Sequence, residues 1–483
     1  MLPHFNSLWD ECVNVFAQQR TWQRAKRLSL SQLACLGWHT VTGLLCAGGR
    51  QFADWSADYR LFSQDPWDGQ QLFAPIRRGI LELSDPDMPF VTALDDTHIK
   101  KTGTHIPGVA WRRDPLSPPF NVNFIRAQRF IQLSAMLPCG KAPTSARAIP
   151  VRYEHSPPVP KPKHSAPPEV WKAYNRQRRQ NNLSTHAVTL LKETRRQLDR
   201  QHQCPQRQFV VSVDGSYSNK TVLKGLPERT TLIGRIRKDA KLFYLPRDED
   251  QPAVGTKRKY GHRTPTPEQL RQDATVPWVE VSAFAAGKTH NFRVKTLSPV
   301  LWTKAGADRL LRLVVIAPVG YRLRKGSKLL YRRPAYLICT DPDMPLEEIL
   351  QYYIWRWDIE VNHRDEKQII GVGQAQVRSE KSVSRHPVFA VASYSMLLLA
   401  AAGAYGLDAN EETLPPPKWR NQTTKQRIST QKLIQQLRSE VWSYALEQIK
   451  ADSKDFVSQT EANTKCRELQ LPLYSTVLYA STG

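Results

Sequence analysis

Four residues around position 360 have types and spacing suited to binding a highly charged ligand. They are Tyr353, Arg356, Glu360 and Lys367, in the pattern Y-x2-R-x3-E-x6-K. On a helix that advances about 100° per residue, all four side chains project from one face. A charged stripe of this kind is unfavourable unless a charged partner lies opposite, and a phosphodiester backbone with metal ions would fit. A solvated helix face is the alternative interpretation.

Two further carboxylate positions follow short apolar segments upstream. Residues 89–97 read Pro-Phe-Val-Thr-Ala-Leu-Asp-Asp-Thr and contain Asp95 and Asp96, and residues 209–214 end at Asp214. The residue types of both segments favour strands, so each acid is predicted where a buried strand emerges from its sheet. A turn residue at a strand end is the alternative for each Asp taken alone. Only the three acidic positions together predict a site.

Three carboxylates supply the oxygen ligands that Mg²⁺ or Mn²⁺ prefers. Two such ions about 3.5–4 Å apart can activate an attacking oxygen and stabilise a leaving oxygen in phosphodiester displacement. Water as the nucleophile gives strand cleavage, and a DNA 3′-hydroxyl gives strand transfer. The predicted ligands of the two ions, and the predicted catalytic residues, are Asp96, Asp214 and Glu360. The predicted phosphate-binding residues of the motif are Tyr353, Arg356 and Lys367.

These segments resemble the DDE transposases of bacterial insertion sequences, in the group that carries a Tyr-Arg-Glu-Lys signature. The resemblance extends over about residues 85–405 and implies an α/β fold with a ribonuclease H-like core, in which a mixed sheet is flanked by helices. It also implies cut-and-paste transposition, with inverted-repeat and target DNA as partners and a homodimer in the synaptic complex. The family's first Asp directly precedes Thr, which favours Asp96 over Asp95. Strand alternation lets only one of the two face the metals.

The chain divides into four predicted regions. They are a helical DNA-binding region (residues 1–85), the catalytic core (86–239 and 336–406), a β-rich insertion (240–335) and a basic helical C-terminal region (407–483). A helix-turn-helix and a plain helical packing domain are equally compatible with the first region. Residues 388–407 are almost entirely apolar, and we predict a buried core helix rather than a membrane span.

Other residues are weaker candidates for DNA contacts. Predicted phosphate contacts in the insertion are Lys257, Arg258, Lys259 and Arg263, with a solvated loop as the alternative. By resemblance, Trp302 is a candidate for stacking on a flipped base, although a core tryptophan is the favoured interpretation. Possible C-terminal contacts are Lys418, Arg420, Lys425 and Arg427. The acids that flank the motif are predicted to be solvated, and they are Asp358, Asp365 and Glu366.

Composition agrees with a polyanionic partner. The chain has 69 basic and 44 acidic residues, a net charge of +25 and a pI of about 9.8. Its seven cysteines are scattered without a C-x-x-C pair, which is typical of reduced cysteines in a cytoplasmic protein. The N-terminus lacks signal-peptide features, so we expect a cytoplasmic protein with no membrane partner, and the resemblance implies a bacterial protein associated with the nucleoid. No Walker motif is present, so no nucleotide cofactor is expected.

Three functions are compatible with these patterns. The first is an active cut-and-paste transposase. The second is a regulatory DNA-binding protein derived from a transposase, and the third is a ribonuclease H-like nuclease without strand transfer. The presence of all three acidic positions favours an enzyme over the regulatory protein.

Overall fold

A computed structural model of the chain describes residues 1–452 apart from 104, 116, 119, 141–142, 202–205, 253, 323, 325, 411–412 and 415–426. The side chains of residues 250 and 445–452 are also outside the description. Three of the predicted C-terminal contacts therefore lie outside the described residues, and they are Lys418, Arg420 and Lys425. The described cysteines are free, and they are Cys12, Cys35, Cys46, Cys139 and Cys339.

The helices and strands alternate along the chain. The α-helices are α1 (Leu2–Asp10), α2 (Gln19–Ala34), α3 (Val41–Ala47), α4 (Ser56–Ser63), α5 (Phe73–Leu83), α6 (Pro168–Gln180), α7 (Leu183–Asp199), α8 (Lys220–Gly225), α9 (Pro267–Gln272), α10 (Leu346–Trp355), α11 (Asp358–Gln368), α12 (Glu380–Tyr405) and α13 (Thr430–Asp452). The strands are β1 (Phe90–Lys100), β2 (Ala110–Arg113), β3 (Phe124–Pro138), β4 (Ala146–His155), β5 (Phe209–Val213), β6 (Thr230–Arg235), β7 (Val279–Ala285), β8 (Lys288–Trp302), β9 (Gly306–Ile316), β10 (Gly320–Tyr321), β11 (Leu330–Tyr331) and β12 (Ala335–Cys339).

One large mixed sheet organises the protein. Its strand order is β2-β3-β1-β5-β6-β12-β9-β8-β7, and β4 pairs with the other part of β3. Strands β1, β5 and β6 run parallel, whereas the remaining neighbours are antiparallel. Helices flank this sheet, which confirms the predicted α/β class with a ribonuclease H-like core.

The predicted β-rich insertion is continuous with this sheet. Residues 312–316 of β9 pair with all of β12, and β8 and β7 follow outward by antiparallel pairing. Residues 240–335 therefore extend the central sheet by three strands, and a separate small two-stranded sheet is formed by β10 and β11. The division of the chain into four regions remains a prediction.

Helix α12 is the core of the helical part of the protein. Its Phe389 ring lies 5.9 Å from Trp9 and 5.3 Å from Phe62, so residues from the N-terminal helices close around it. The helix is long and apolar enough to cross a membrane, but 78% of its most apolar window is buried inside the protein. Since its apolar surface is already covered by other helices, α12 has the burial expected of a core helix.

The N-terminal region is helical as predicted, with α2 and α3 separated by residues 35–40. Two of its arginines are engaged by the buried Asp58 carboxylate, at 3.8 Å from Arg24 and 2.6 Å from Arg27. These cations stabilise the packing of α2 and α4. DNA binding by this region remains a prediction.

Candidate active site

The acidic positions on β1 and β5 meet at one place in the sheet. These strands are parallel, and Leu94 pairs with Val213 at the end of their shared ladder. The next residues are Asp95 and Asp214, which therefore lie side by side. Asp214 directly follows its strand, as predicted.

The prediction that both acidic segments end their strands is wrong for β1. This strand continues to Lys100, because residues beyond Asp96 remain paired with β3 in a long antiparallel ladder. Asp95 and Asp96 therefore lie inside a strand, at the point where it leaves β5 but keeps β3. Because the strand continues through both residues, its pleat fixes the directions of their side chains.

The pleat directs Asp95 towards the motif helices. One apolar cluster of the sheet and these helices contains Val91, Ala93, Ile349, Trp355 and Ile359. Ser134, which pairs with Ala93, donates a hydrogen bond of 2.9 Å to Asn362 on α11. Because alternate residues of a strand share a face, Asp95 lies on the α10–α11 side and Asp96 on the opposite side.

Asp214 continues the same face on β5. The Ser212 hydroxyl, two residues earlier, donates a hydrogen bond of 3.0 Å to the carbonyl of Tyr352 on α10. The Asp214 carboxylate accepts hydrogen bonds from the backbone N–H and hydroxyl of Ser216, at 2.7 and 2.6 Å. This turn fixes one carboxylate oxygen beside the end of the strand.

The prediction that the four motif residues lie on one continuous helix is wrong. Helix α10 ends at Trp355 and α11 begins at Asp358. Between them the amide of Arg356 donates to the carbonyl of Tyr353 at 3.3 Å, and Trp357 bonds Ile354 in the same way at 3.1 Å. These i→i−3 bonds are those of a 3₁₀ turn, which winds more tightly than an α-helix.

Three motif residues nevertheless share one surface. The Arg356 guanidinium lies over the Tyr353 ring, 5.7 Å from its centroid, and 3.4 Å from the Glu360 carboxylate. The same guanidinium lies 3.9 Å from the Asp95 carboxylate. Arg356 therefore connects the acid on the helix with an acid on the sheet. Lys367 is on the next turns of α11, where partial burial lowers its pKa and the Asp95 charge opposes that change.

Asp96 is held by different partners on its own side of the sheet. The Tyr217 hydroxyl donates to one of its carboxylate oxygens at 3.0 Å, and the other oxygen lies 3.2 Å from Arg129 Nε. Arg129 Nε also lies 3.1 Å from His98 Nε2. Both oxygens of Asp96 are thus engaged by protein groups. Sequence reasoning missed Tyr217 and Arg129, although Tyr217 follows Asp214 by only three residues.

Burial and mutual repulsion act on Asp95 and Asp96, which together with Asp214 and Glu360 are called the acidic cluster. Burial raises the pKa of Asp95 to about 7, and the neighbouring Asp96 and Asp214 act in the same direction. Burial also raises the pKa of Asp96, while Arg129 and the Tyr217 hydrogen bond oppose the change. A bound cation would favour the charged form of Asp95, because opposite charge lowers the pKa of a carboxyl group.

The donor set fits a hard divalent cation. It consists of carboxylate oxygens, which suit Mg²⁺ or Mn²⁺ rather than zinc. As the side chains stand, no three His, Cys, Asp or Glu residues in the described part of the chain are grouped closely enough to hold an ion. Glu360 is directed to Arg356, so ion binding would require Glu360 to turn from that guanidinium towards Asp95 and Asp214.

A glycine on the neighbouring strand makes room for the Asp214 turn. Gly234 on β6 pairs with Val213, and a Cβ atom at this position would overlap the Ser218 hydroxyl. The turn that carries Asp214 therefore lies against bare backbone. Sequence reasoning gave Gly234 no role, because the close approach depends on the pairing of β5 and β6.

The prediction of solvated acids beside the motif is wrong for Asp365 and Glu366. Both are buried, because α11 packs on strands β1 and β4 and on helix α12. Asp365 accepts a hydrogen bond of 2.7 Å from the Thr430 hydroxyl. Glu366 lies near Tyr153 and Gln132, and no hydrogen bond of ordinary geometry reaches its oxygens from the described residues. Asp358 is half-buried and forms a 2.8 Å ion pair with Arg427.

Replacing Glu366 with Gln is expected to change the pH dependence of stability. Burial raises the pKa of Glu366 to about 8, above the value of about 4.3 for an unfolded chain. The folded state therefore holds a proton between these values that the unfolded state releases, and stability falls as the pH rises through this window. Denaturant unfolding measures this effect: from pH 5 to pH 8, the free energy of unfolding should fall more for wild type than for Glu366→Gln. Equal pH dependence of the two proteins would contradict the buried, protonated carboxyl.

The remaining predicted contacts belong to the insertion. The four predicted phosphate contacts of the insertion are exposed, and they are Lys257, Arg258, Lys259 and Arg263. They remain predicted phosphate contacts. The Trp302 ring is only 5% exposed in the core, and Lys304 lies over it at 4.8 Å. This burial agrees with the core alternative for Trp302, and base stacking remains a prediction.

Comparison with known families identifies the class of protein that carries this site. A family described as DDE superfamily endonuclease matches residues 10–307, which is more than half of the chain. The chain belongs to the DDE superfamily endonucleases. The match covers Asp95, Asp96 and Asp214, so the sheet part of the acidic cluster lies inside the family region.

Membership gives the endonuclease its general chemistry. The superfamily cleaves phosphodiester bonds in DNA and generally uses divalent metal ions. The family region ends before α10, so the motif from Tyr353 to Lys367 lies outside it. No curated protein matches the chain. The assignment of α10 and α11 to the active site therefore depends on the contacts that Arg356 makes with Asp95 and Glu360.

Proposed function

We propose that this endonuclease is a transposase that cuts and joins DNA through Asp95, Asp214 and Glu360. The observation that supports it best is the register of β1 and β5, which brings Asp95 beside Asp214 on the face of the motif helices. Arg356 contacts both Asp95 on the sheet and Glu360 on α11. The register favours Asp95 as the first ligand, in place of Asp96, which the resemblance to DDE transposases favoured.

The three carboxylates would hold two Mg²⁺ or Mn²⁺ ions, which supply activation of the attacking oxygen and stabilisation of the leaving oxygen. Tyr353, Arg356 and Lys367 would bind the phosphates on either side of the scissile bond. Arg356 suits this role because its planar guanidinium, which contacts the Asp95 and Glu360 carboxylates, can bind a phosphate through two parallel hydrogen bonds. Lys367 would act as a point charge beside it.

Charge supports DNA as the partner. With a net charge of +25, the protein attracts duplex DNA over a long range, and its exposed basic loop adds local contacts. The proposed substrates are the terminal inverted repeats of an insertion sequence and a target DNA. Joining two ends in one complex requires two active sites, so we propose a homodimer, acting on the nucleoid of a bacterial cytoplasm.

One assay separates the three candidate functions. The protein is incubated with Mg²⁺, a labelled duplex that carries the terminal sequence of its element, and a target plasmid. Joined products that Asp214→Asn fails to make support a transposase. Cleavage without joining indicates a nuclease without strand transfer, and binding without cleavage indicates a regulatory protein. Either of the last two results would contradict the proposal.

A further inference from the structure

A hairpin beyond the acidic cluster exposes aromatic and cationic side chains together. Strand β2 pairs with the start of β3, so that Trp111 lies opposite Arg126 and Arg113 lies opposite Phe124. Trp111 is 69% exposed and Phe124 is 63% exposed, although aromatic residues of this size normally bury most of their surface. These four residues define the hairpin surface.

The hairpin surface lies on the same side of the sheet as Asp95. Gln132 pairs with Asp95, and the β1–β3 ladder runs without a bulge from there to Ala127. Arg126 is six residues before Gln132 on β3, and residues an even number apart share a face. At about 3.3 Å per residue, Arg126 is about 20 Å from the acidic cluster along the strand.

The chemistry of the hairpin surface suits nucleotides. The Arg126 guanidinium lies 6.0 Å from the centre of the Trp111 ring, and Arg113 occupies the neighbouring pair with Phe124. Exposed aromatic rings offer flat surfaces on which bases stack, and the adjacent guanidinium groups complement the charge of the backbone. This alternation of ring and cation is the arrangement that binds a strand through its bases and phosphates at once.

We propose that the hairpin surface binds an unpaired DNA strand that leads into the active site, an inference that rests on the proposed function for its DNA substrate. Bases inside a duplex present only their edges, so the rings of Trp111 and Phe124 can stack only on bases that have left the helix. The hairpin surface would thus hold the strand separated next to the cleavage position.

The test compares strand affinities without any chemistry. Fluorescence anisotropy with EDTA present measures binding of an oligo-dT of about 20 nucleotides and of a mixed-sequence duplex of about the same length. The double variant Trp111→Ala/Phe124→Ala should bind oligo-dT at least about tenfold more weakly than wild type, since each lost stack has a large effect. Its duplex affinity should change by less than about twofold. The matched control is Tyr331→Ala, because Tyr331 is 65% exposed on β11 and should leave both affinities unchanged.

Several binding results would overturn the inference. They are equal oligo-dT affinity of the double variant and wild type, equal loss of duplex affinity, and no binding of oligo-dT by wild type. Light scattering, which measures the oligomeric state, tests the alternative that the edge strand β2 pairs with a second copy of the chain. A dimer that becomes monomeric in the double variant, with oligo-dT affinity unchanged, would also overturn it. If wild type fails to cut DNA but the double variant still loses oligo-dT affinity, the proposed function fails and the hairpin inference stands.

Discussion

Glu360→Gln is expected to abolish DNA cleavage while leaving DNA binding intact. Glutamine keeps the size of the side chain and its place on α11, but it removes the negative charge that a divalent ion needs. Loss of about 4 kcal/mol of charge stabilisation corresponds to a rate lowered on the order of 10³-fold. Single-turnover cleavage of a terminal-repeat duplex measures the rate, and anisotropy on the same duplex in EDTA measures binding.

A matched control is available on the neighbouring helix. Glu347 is exposed in the first turn of α10, away from the acidic cluster. Glu347→Gln should cleave at the wild-type rate, which separates loss of a ligand from loss of any negative charge near the motif. If Glu360→Gln cut DNA as fast as this control, Glu360 would have no place among the catalytic residues.

Asp95→Asn and Asp96→Asn are expected to have unequal effects on cleavage. Asp95 lies beside Asp214 and 3.9 Å from Arg356, so its replacement removes a proposed metal ligand and should lower the rate on the order of 10³-fold. Asp96 acts through its bonds to Tyr217 and Arg129 and would only position its neighbour. Its loss should reduce the rate by about 10- to 100-fold, as for residues that orient a metal ligand.

Calorimetric titration with Mn²⁺ gives this comparison a readout besides activity. Asp95→Asn should lose Mn²⁺ binding, whereas Asp96→Asn should retain it with reduced affinity. The reverse order, with Asp96→Asn losing the ion and Asp95→Asn keeping it, would contradict the assignment from strand register. It would agree instead with the position of the first Asp before Thr97.

The strand that carries Asp214 could be predicted from sequence, because all five residues of β5 are apolar or small and all are buried. The choice between Asp95 and Asp96 as the first metal ligand could not be predicted from sequence. Alternation shows that they face opposite ways, but which one faces the motif helices depends on pairing with a strand far along the chain. The four-residue spacing did predict a shared surface for Tyr353, Arg356 and Glu360, although the chain tightens between them.

The burial of Asp365 and Glu366 could not be predicted from the local sequence pattern either. Asp365 and Glu366 lie in a polar stretch of α11, and helical spacing alone places charged residues of this kind in solvent. Their burial results from contacts with Thr430 on α13 and with the Gln132 region of β3. Tertiary packing overrides the local preference of both acids.

We propose that Asp95, Asp214 and Glu360 cleave DNA with the help of a divalent ion. The most direct test is cleavage of a plasmid that carries the terminal sequences of the element, measured for wild type and Asp214→Asn over a Mg²⁺ titration. We expect cutting by wild type that rises with Mg²⁺, stops in EDTA, returns when Mg²⁺ is restored, and is absent in Asp214→Asn. Cutting in EDTA, or cutting by Asp214→Asn at the wild-type rate, would contradict it.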